Sequence, residues 1–273
     1  MGKIIFLDVD GTIKDFDGTI PKSTVDAIHE ARREGNEVCI CTGRTYRQID
    51  QDVLDIGFDG IIANSGGYVE YKGECINHRF FTQLAYIELM NDLLRNHCVV
   101  KIETKKGVYI LRQDLEEYEA IHNRVLKSGD YASKIQSEPI PVDSVLDVPE
   151  VEKLQVFSNA ISGKEIRQKW GYAFRIVDLR GIDTERWAGE ITPIDVNEAK
   201  GIRQVLLAGD YDRSDAIAVG DGDNDLEMIR YAKVGVAMEH SSEAVRNAAD
   251  YITSDVQENG IRRVFLNLGL IKK

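Results

Sequence analysis

The chain has 273 residues, 43% of them hydrophobic and 29% charged, which is room and composition for one large or two ordinary folded domains. Its formal net charge of −12 argues against nucleic acid or an anionic membrane surface as a partner, and an anionic ligand would need a local metal, lysine or backbone amides to hold it. No apolar run approaches the ~18 residues of a membrane span. No signal pattern opens the chain, and its four cysteines (Cys39, Cys41, Cys75, Cys98) form no Cys-x-x-Cys pair, so a reduced, cytoplasmic protein is expected.

In chain order, Lys3 to Leu7 (KIIFL) reads as a strand buried on both faces that ends in Asp8 and Asp10. A helix over Ser23 to Arg33 follows, then a strand at Glu37 to Cys41 running into Thr42-Gly43-Arg44, and another at Gly60 to Ala63. From about residue 83 the pattern changes. Helices are expected near Leu84 to Arg95 and Leu115 to Lys127, and Cys98 to Leu111 reads as a hairpin turning at Lys105-Lys106-Gly107. Strands at Lys153 to Ser158 and Tyr172 to Leu179 flank a helix opened by Ser162. Alternation then resumes: a helix over Val196 to Leu207 carrying Lys200, a strand at Ala216 to Val219 ending in DGDND, a helix at Leu226 to Tyr231, a strand at Val234 to Ala237 and a helix at Ser242 to Ala249. The fold class is therefore α/β, a Rossmann-like doubly wound parallel-sheet core formed by 1–82 and 186–273, with an α+β domain inserted at 83–185.

In such sheets ligands bind beyond the carboxyl ends of the strands, and the chemistry of this chain collects there. A calcium loop does not explain the acids: an EF-hand needs Gly at its sixth and Glu at its twelfth position, and counting from Asp8 or Asp221 meets Ile13 and Thr19, or Leu226 and Ala232. Asp15 and Asp17 read as a surface turn. A carboxylate such as Asp8 can attack phosphorus and form an aspartyl-phosphate. Two anions must then meet, which calls for a hard cation such as Mg²⁺ on oxygen ligands, and Asp8 and Asp221 supply carboxylates for it. Lys200 is expected to offset the remaining charge, Thr42 and the Gly43 amide to bind phosphoryl oxygens, and Asp10 to act as general acid and base.

The order of these motifs resembles the haloacid dehalogenase-like hydrolase superfamily, over nearly the whole chain. Its first motif is matched by Asp8-Val9-Asp10-Gly11-Thr12, its second by Thr42-Gly43-Arg44, its third by Lys200 and its fourth by Gly220-Asp221-Gly222-Asp223-Asn224-Asp225. The large insert between the second and third motifs is similar to that of the Cof-type subfamily of small-metabolite phosphatases, where such a cap sets substrate specificity. The resemblance implies Asp8 as nucleophile, Asp10 as acid and base, and Mg²⁺ held by Asp8, the Asp10 backbone carbonyl and Asp221. It also implies Asn224 in the phosphate pocket and Asp225 behind the metal ligands. Arg44 is a candidate contact to substrate or insert. Two departures bear on substrate preference: Ser65-Gly66-Gly67 stands where Asn-Gly is usual, and Glu239-His240 follows VAM where Gly-Asn is usual.

The expected activity is Mg²⁺-dependent hydrolysis of a small phosphate ester, such as a sugar phosphate. A phosphomutase or phosphotransferase would share every catalytic residue and differ only in the acceptor. A non-catalytic phosphate-binding regulator is the other alternative. Neither the ester nor the oligomeric state is legible in the sequence.

Overall fold

The structure, a computed structural model, describes residues 2–128, 138–179 and 186–272. The chain packs into two compact units, one made of Met1–Arg44, Ile49–His78 and Asn197–Lys273, the other of Thr45–Gln48 and Arg79–Val196. The first unit begins with β1 (Ile4–Leu7), α1 (Lys22–Arg33), β2 (Glu37–Cys41), the one-turn α2 (Gln51–Leu54), β3 (Gly60–Ala63), β4 (Tyr68–Tyr71) and β5 (Glu74–His78). The second unit holds α3 (Gln83–Arg95), β6 (Val99–Thr104), β7 (Gly107–Leu111), α4 (Leu115–Ser128), β8 (Ile140–Val142), β9 (Lys153–Ser158), α5 (Gly163–Trp170), β10 (Phe174–Asp178) and β11 (Trp187–Pro193). The chain returns to the first unit with α6 (Glu198–Ala208), β12 (Ala216–Gly220), α7 (Leu226–Tyr231), β13 (Val234–Ala237), α8 (Glu243–Ala248), β14 (Tyr251–Ile252) and α9 (Gly260–Asn267).

In the first unit the described strands form one sheet in the order β14-β13-β12-β1-β2-β3-β4-β5. Pairing is parallel from β14 to β3 and antiparallel across β3, β4 and β5. All four residues of β1 are fully buried, as are Val38 to Cys41 on β2, which is why these strands read as unbroken apolar runs. α1 buries Thr24, Ala27, Ile28 and Ala31, a stripe at helical spacing, and places Arg32 and Arg33 at its negative carboxyl end. β1 lies between β2 and β12, so the connections leave it in opposite directions and a crevice opens beyond its carboxyl end.

The second unit is a sheet in the order β10-β11-β9-β6-β7-β8, antiparallel except for β7 with β8. Strand alternation divides its core in two. Val100 and Ile102 of β6 pack with Tyr86, Leu89, Met90 and Leu93 of α3, whereas Val99 joins Tyr118 and Ile121 of α4. Ser162 caps α5 reciprocally with Glu165, which is the signal its sequence carried. This unit starts at Arg79 and runs to Val196 because β11 pairs with both β9 and β10. The limit at 185 read from the sequence lies outside the described residues. Among the described residues no helix is long and apolar enough to cross a membrane.

Candidate active site

The first acidic loop is closed on itself by its own backbone. Val9 carbonyl accepts the Ile13 and Lys14 amides at 3.0 and 2.8 Å, and the Gly11 amide donates to Lys14 carbonyl at 2.8 Å. Asp8, 4% exposed, is anchored to the neighbouring strand by its amide, which donates to Val219 carbonyl at 3.0 Å. Gly11 has φ +76°, and a Cβ there would come within 2.4 Å of Asp221 Oδ2, so both backbone and space require glycine. Asp15 and Asp17 form the expected turn, with Asp17 accepting from the Thr19 amide at 2.8 Å.

Asp8, Asp221 and Asp225 each offer a carboxylate oxygen, and these oxygens lie within 4.8 Å of one another. Asp225 is fully buried and occupied: Oδ2 accepts the Asp221 and Gly222 amides at 2.8 and 2.9 Å, and Oδ1 accepts the Asn224 amide at 2.9 Å. It therefore shapes the turn that aims Asp221. Asn224 is exposed and spends its amide on Asp225, so its side chain orders the motif.

Burial pushes the Asp8 carboxyl well above the usual carboxylate range, and Asp225, Asp221, Asp10 and Glu198 add to it by repulsion. Asp221 is pushed up to about 8, by burial first and then by Asp225 and Asp10. Asp225 rises to about 7, chiefly by burial, despite the two amides that favour its anion. A cluster of carboxylates in this condition fits a hard divalent cation, which would remove the repulsion that raises all three.

Asp10 does not join that cluster. Both its oxygens are held by Arg44, with Nε 2.7 Å from Oδ2 and Nη2 2.5 Å from Oδ1. Arg44 is 8% exposed, and its Nη1 lies 3.2 Å from Asp50. Arg44, a candidate contact to substrate or insert, makes a part-buried ion pair with the acid loop. Thr42, also buried, accepts the Arg44 amide on its hydroxyl at 3.3 Å. Gly43 stands beside Ser65, where a Cβ would make only an ordinary 3.6 Å contact, so its glycine is not forced by space. Asn64, Ser65 and Gly66 follow β3 with φ of 50°, 49° and 93°, and a Cβ on Gly66 would sit 2.3 Å from Asn197 carbonyl. This departure from Asn-Gly therefore seats the start of α6.

The predicted Lys200 lies on that helix. Asn197 caps α6 by accepting the Lys200 amide, and the buried stripe runs Glu198, Gly201, Ile202, Val205, Leu206. Lys200 is exposed on the opposite side. Glu198 of α6 is fully buried, adds to the repulsion on Asp8 and also raises the Cys41 thiol. Sequence reading missed Glu198, although counting back from Ile202 and Val205 at helical spacing reaches it rather than Lys200. His240 lies on an exposed turn, 2.8 Å from Asp255, and Glu239 beside it is exposed. Cys39 and Cys41 are buried free thiols.

The family model described as haloacid dehalogenase-like hydrolase matches residues 5–265. The chain is similar to a Bacillus subtilis (strain 168) protein named "Putative phosphatase YkrA", 30% identical over 99% of each chain. It is 28% identical to 5-amino-6-(5-phospho-D-ribitylamino)uracil phosphatase YitU of the same organism, over 95% of each. Among solved structures, a hypothetical protein of Geobacillus kaustophilus HTA426 superposes with TM-score 0.86 at 24% identity, covering 99% of this chain and 100% of that one. The subclass IIB sugar phosphatase BT4131 superposes with TM-score 0.78 at 24% identity, covering 98% and 100%. At these identities the two structures speak for the fold.

Proposed function

The chain belongs to the haloacid dehalogenase-like hydrolase family, and from that premise we propose that it is a phosphatase that hydrolyses a small phosphate monoester through an aspartyl-phosphate on Asp8. The observation that carries this reading is the convergence of Asp8, Asp221 and Asp225 at one strand edge, with a second acid, Asp10, held separately by Arg44. Two acids on one loop in different surroundings suit two different roles.

Asp10 first takes up a proton from solvent; Asp8 then attacks phosphorus, and the bond to the ester oxygen breaks as that oxygen takes the proton from Asp10. Asp10, now a carboxylate, takes a proton from water as the water oxygen attacks the aspartyl-phosphate, which frees phosphate and restores Asp8. Arg44 holds both oxygens of Asp10 and fixes the direction in which the proton moves. Thr42 and the Gly43 amide are the proposed phosphoryl contacts from the second loop. Asp8, Asp221 and the Asp10 backbone carbonyl are the proposed Mg²⁺ ligands, and the ion would neutralise the meeting of carboxylate and phosphate. Lys200, near the start of α6, is the proposed side chain that offsets the remaining charge of the phosphate.

Names of relatives such as YitU direct the choice of esters to phosphorylated sugars and ribityl compounds. The test is release of inorganic phosphate from a panel of such esters, with Mg²⁺ and with chelator, using wild type and Asp8→Asn. Metal-dependent release that Asp8→Asn abolishes supports the reading; equal release by the two proteins sinks it.

A further inference from the structure

Lys14 closes the acid loop and is almost fully buried, its side chain 5% exposed. Its backbone is tied to Val9 and Gly11, the two neighbours of Asp10. Its Nζ lies 2.8 Å from Asp50 Oδ2 and 2.8 and 3.0 Å from the two oxygens of Asp52. Asp50 Oδ2 is also the atom that Arg44 Nη1 approaches. Charges therefore alternate along one line: Asp10, Arg44, Asp50, Lys14, Asp52. Two members of that line belong to the same loop, Asp10 through its carboxylate and Lys14 through its main chain.

Burying an ammonium is unfavourable unless it is paired, and the loop's backbone hydrogen bonds make no use of the Lys14 side chain. What the side chain does is give Asp50, 26% exposed, a second cation beside Arg44. Asp50 in turn fixes Nη1 of the Arg44 guanidinium, whose Nε and Nη2 hold Asp10. A planar fork held at all three nitrogens has one orientation.

We propose that Lys14 and Asp50 are positioning residues for the acid step: through Arg44 they aim the Asp10 carboxyl at the leaving oxygen of the phosphate ester. The proposal rests on the phosphatase reading. It concerns only the proton that Asp10 gives, so it predicts a dependence on the leaving group. An alkoxide needs that proton to depart, whereas p-nitrophenolate does not.

The test compares kcat/KM, which reports the steps through leaving-group departure, for p-nitrophenyl phosphate and for an alkyl phosphate the wild type hydrolyses. Lys14→Met and Asp50→Asn are expected to lose about 10- to 100-fold on the alkyl ester, the size of general acid catalysis, and less than about threefold on the nitrophenyl ester. Lys14→Arg is expected to recover most of the loss. Should Lys14→Met fail to fold, Asp50→Asn at a partly exposed position carries the same comparison. Equal losses on the two esters, or no loss on either, overturn the proposal while leaving the phosphatase reading standing. Wild-type protein that releases phosphate from neither ester removes that reading and this proposal with it.

Discussion

Glu198 and Lys200 stand two residues apart on α6 and on opposite sides of it, the acid buried beside Asp8 and the base exposed. Lys200 is the proposed cation for the phosphate, so exchanging it for Ala should lower kcat/KM about 100-fold or more in the phosphate-release assay, and an unchanged value would remove it from the site. Removing the buried negative charge should weaken cation binding. Glu198→Gln is expected to lower Mg²⁺ affinity about 5- to 10-fold, the equivalent of roughly 1 kcal/mol of charge interaction. Isothermal titration of the metal alone measures it, and unchanged affinity would show that Glu198 does not act on the cation.

The core was legible because its strands are unbroken apolar runs and each ends in a motif. KIIFL, EVCIC and AIAVG became β1, β2 and β12, with the acids and Thr42 just past their ends. β11 was not legible: WAGEITP interrupts its apolar residues with Gly189, Glu190 and Pro193 and gives neither clean alternation nor a run. The ion pair of Asp10 with Arg44 was hidden for another reason. It depends on the parallel register that sets Leu7 against Ile40, so that three residues on from each strand the two loops meet. Nothing local to either motif encodes that register. Glu198 was missed because a motif read as spacing along the chain says nothing of helix face, and the two-residue step from Glu198 to Lys200 turns the side chain through most of half a circle.

Gly11→Ala should leave the protein folded and nearly inactive. The new methyl meets Asp221 Oδ2 at 2.4 Å and the backbone sits at φ +76°. Forcing an L-residue there costs about 1–2 kcal/mol, and the loop must also move away from Asp221. Activity is expected to fall at least about 100-fold, the penalty of displacing a reacting group by an ångström. Circular dichroism and phosphate release together check it, and full activity would mean that the loop and Asp221 adjust without moving Asp8.

Asp225→Ala should unfold more readily than any single loss among the exposed ion pairs. It strips two backbone amides and the Asn224 side-chain amide of an acceptor that is itself fully buried. The expected loss is about 3 kcal/mol, from buried donors left unsatisfied. Lys22, paired with Asp26 on the exposed face of α1, gives the comparison, since Lys22→Ala should cost less than about 0.5 kcal/mol. Denaturant unfolding of both variants tests the contrast, and equal stabilities would refute it.

Metal-free protein should become less stable as pH rises from about 4 to about 8. Asp221 is held up to about 8 and Asp225 to about 7 in the folded state, far above an unfolded aspartate near 4. Between those values the folded chain binds protons that the unfolded chain has lost, so each rise in pH favours unfolding. The stabilisation is complete below about 4 and gone once pH passes the folded values. Mg²⁺ should flatten the slope by taking the place of those protons, with their release on binding. Thermal unfolding across this pH range, in chelator and in excess Mg²⁺, reads both slopes. A chelator curve that rises toward pH 8, or two parallel curves, would mean that these carboxylates are already ionised without a cation.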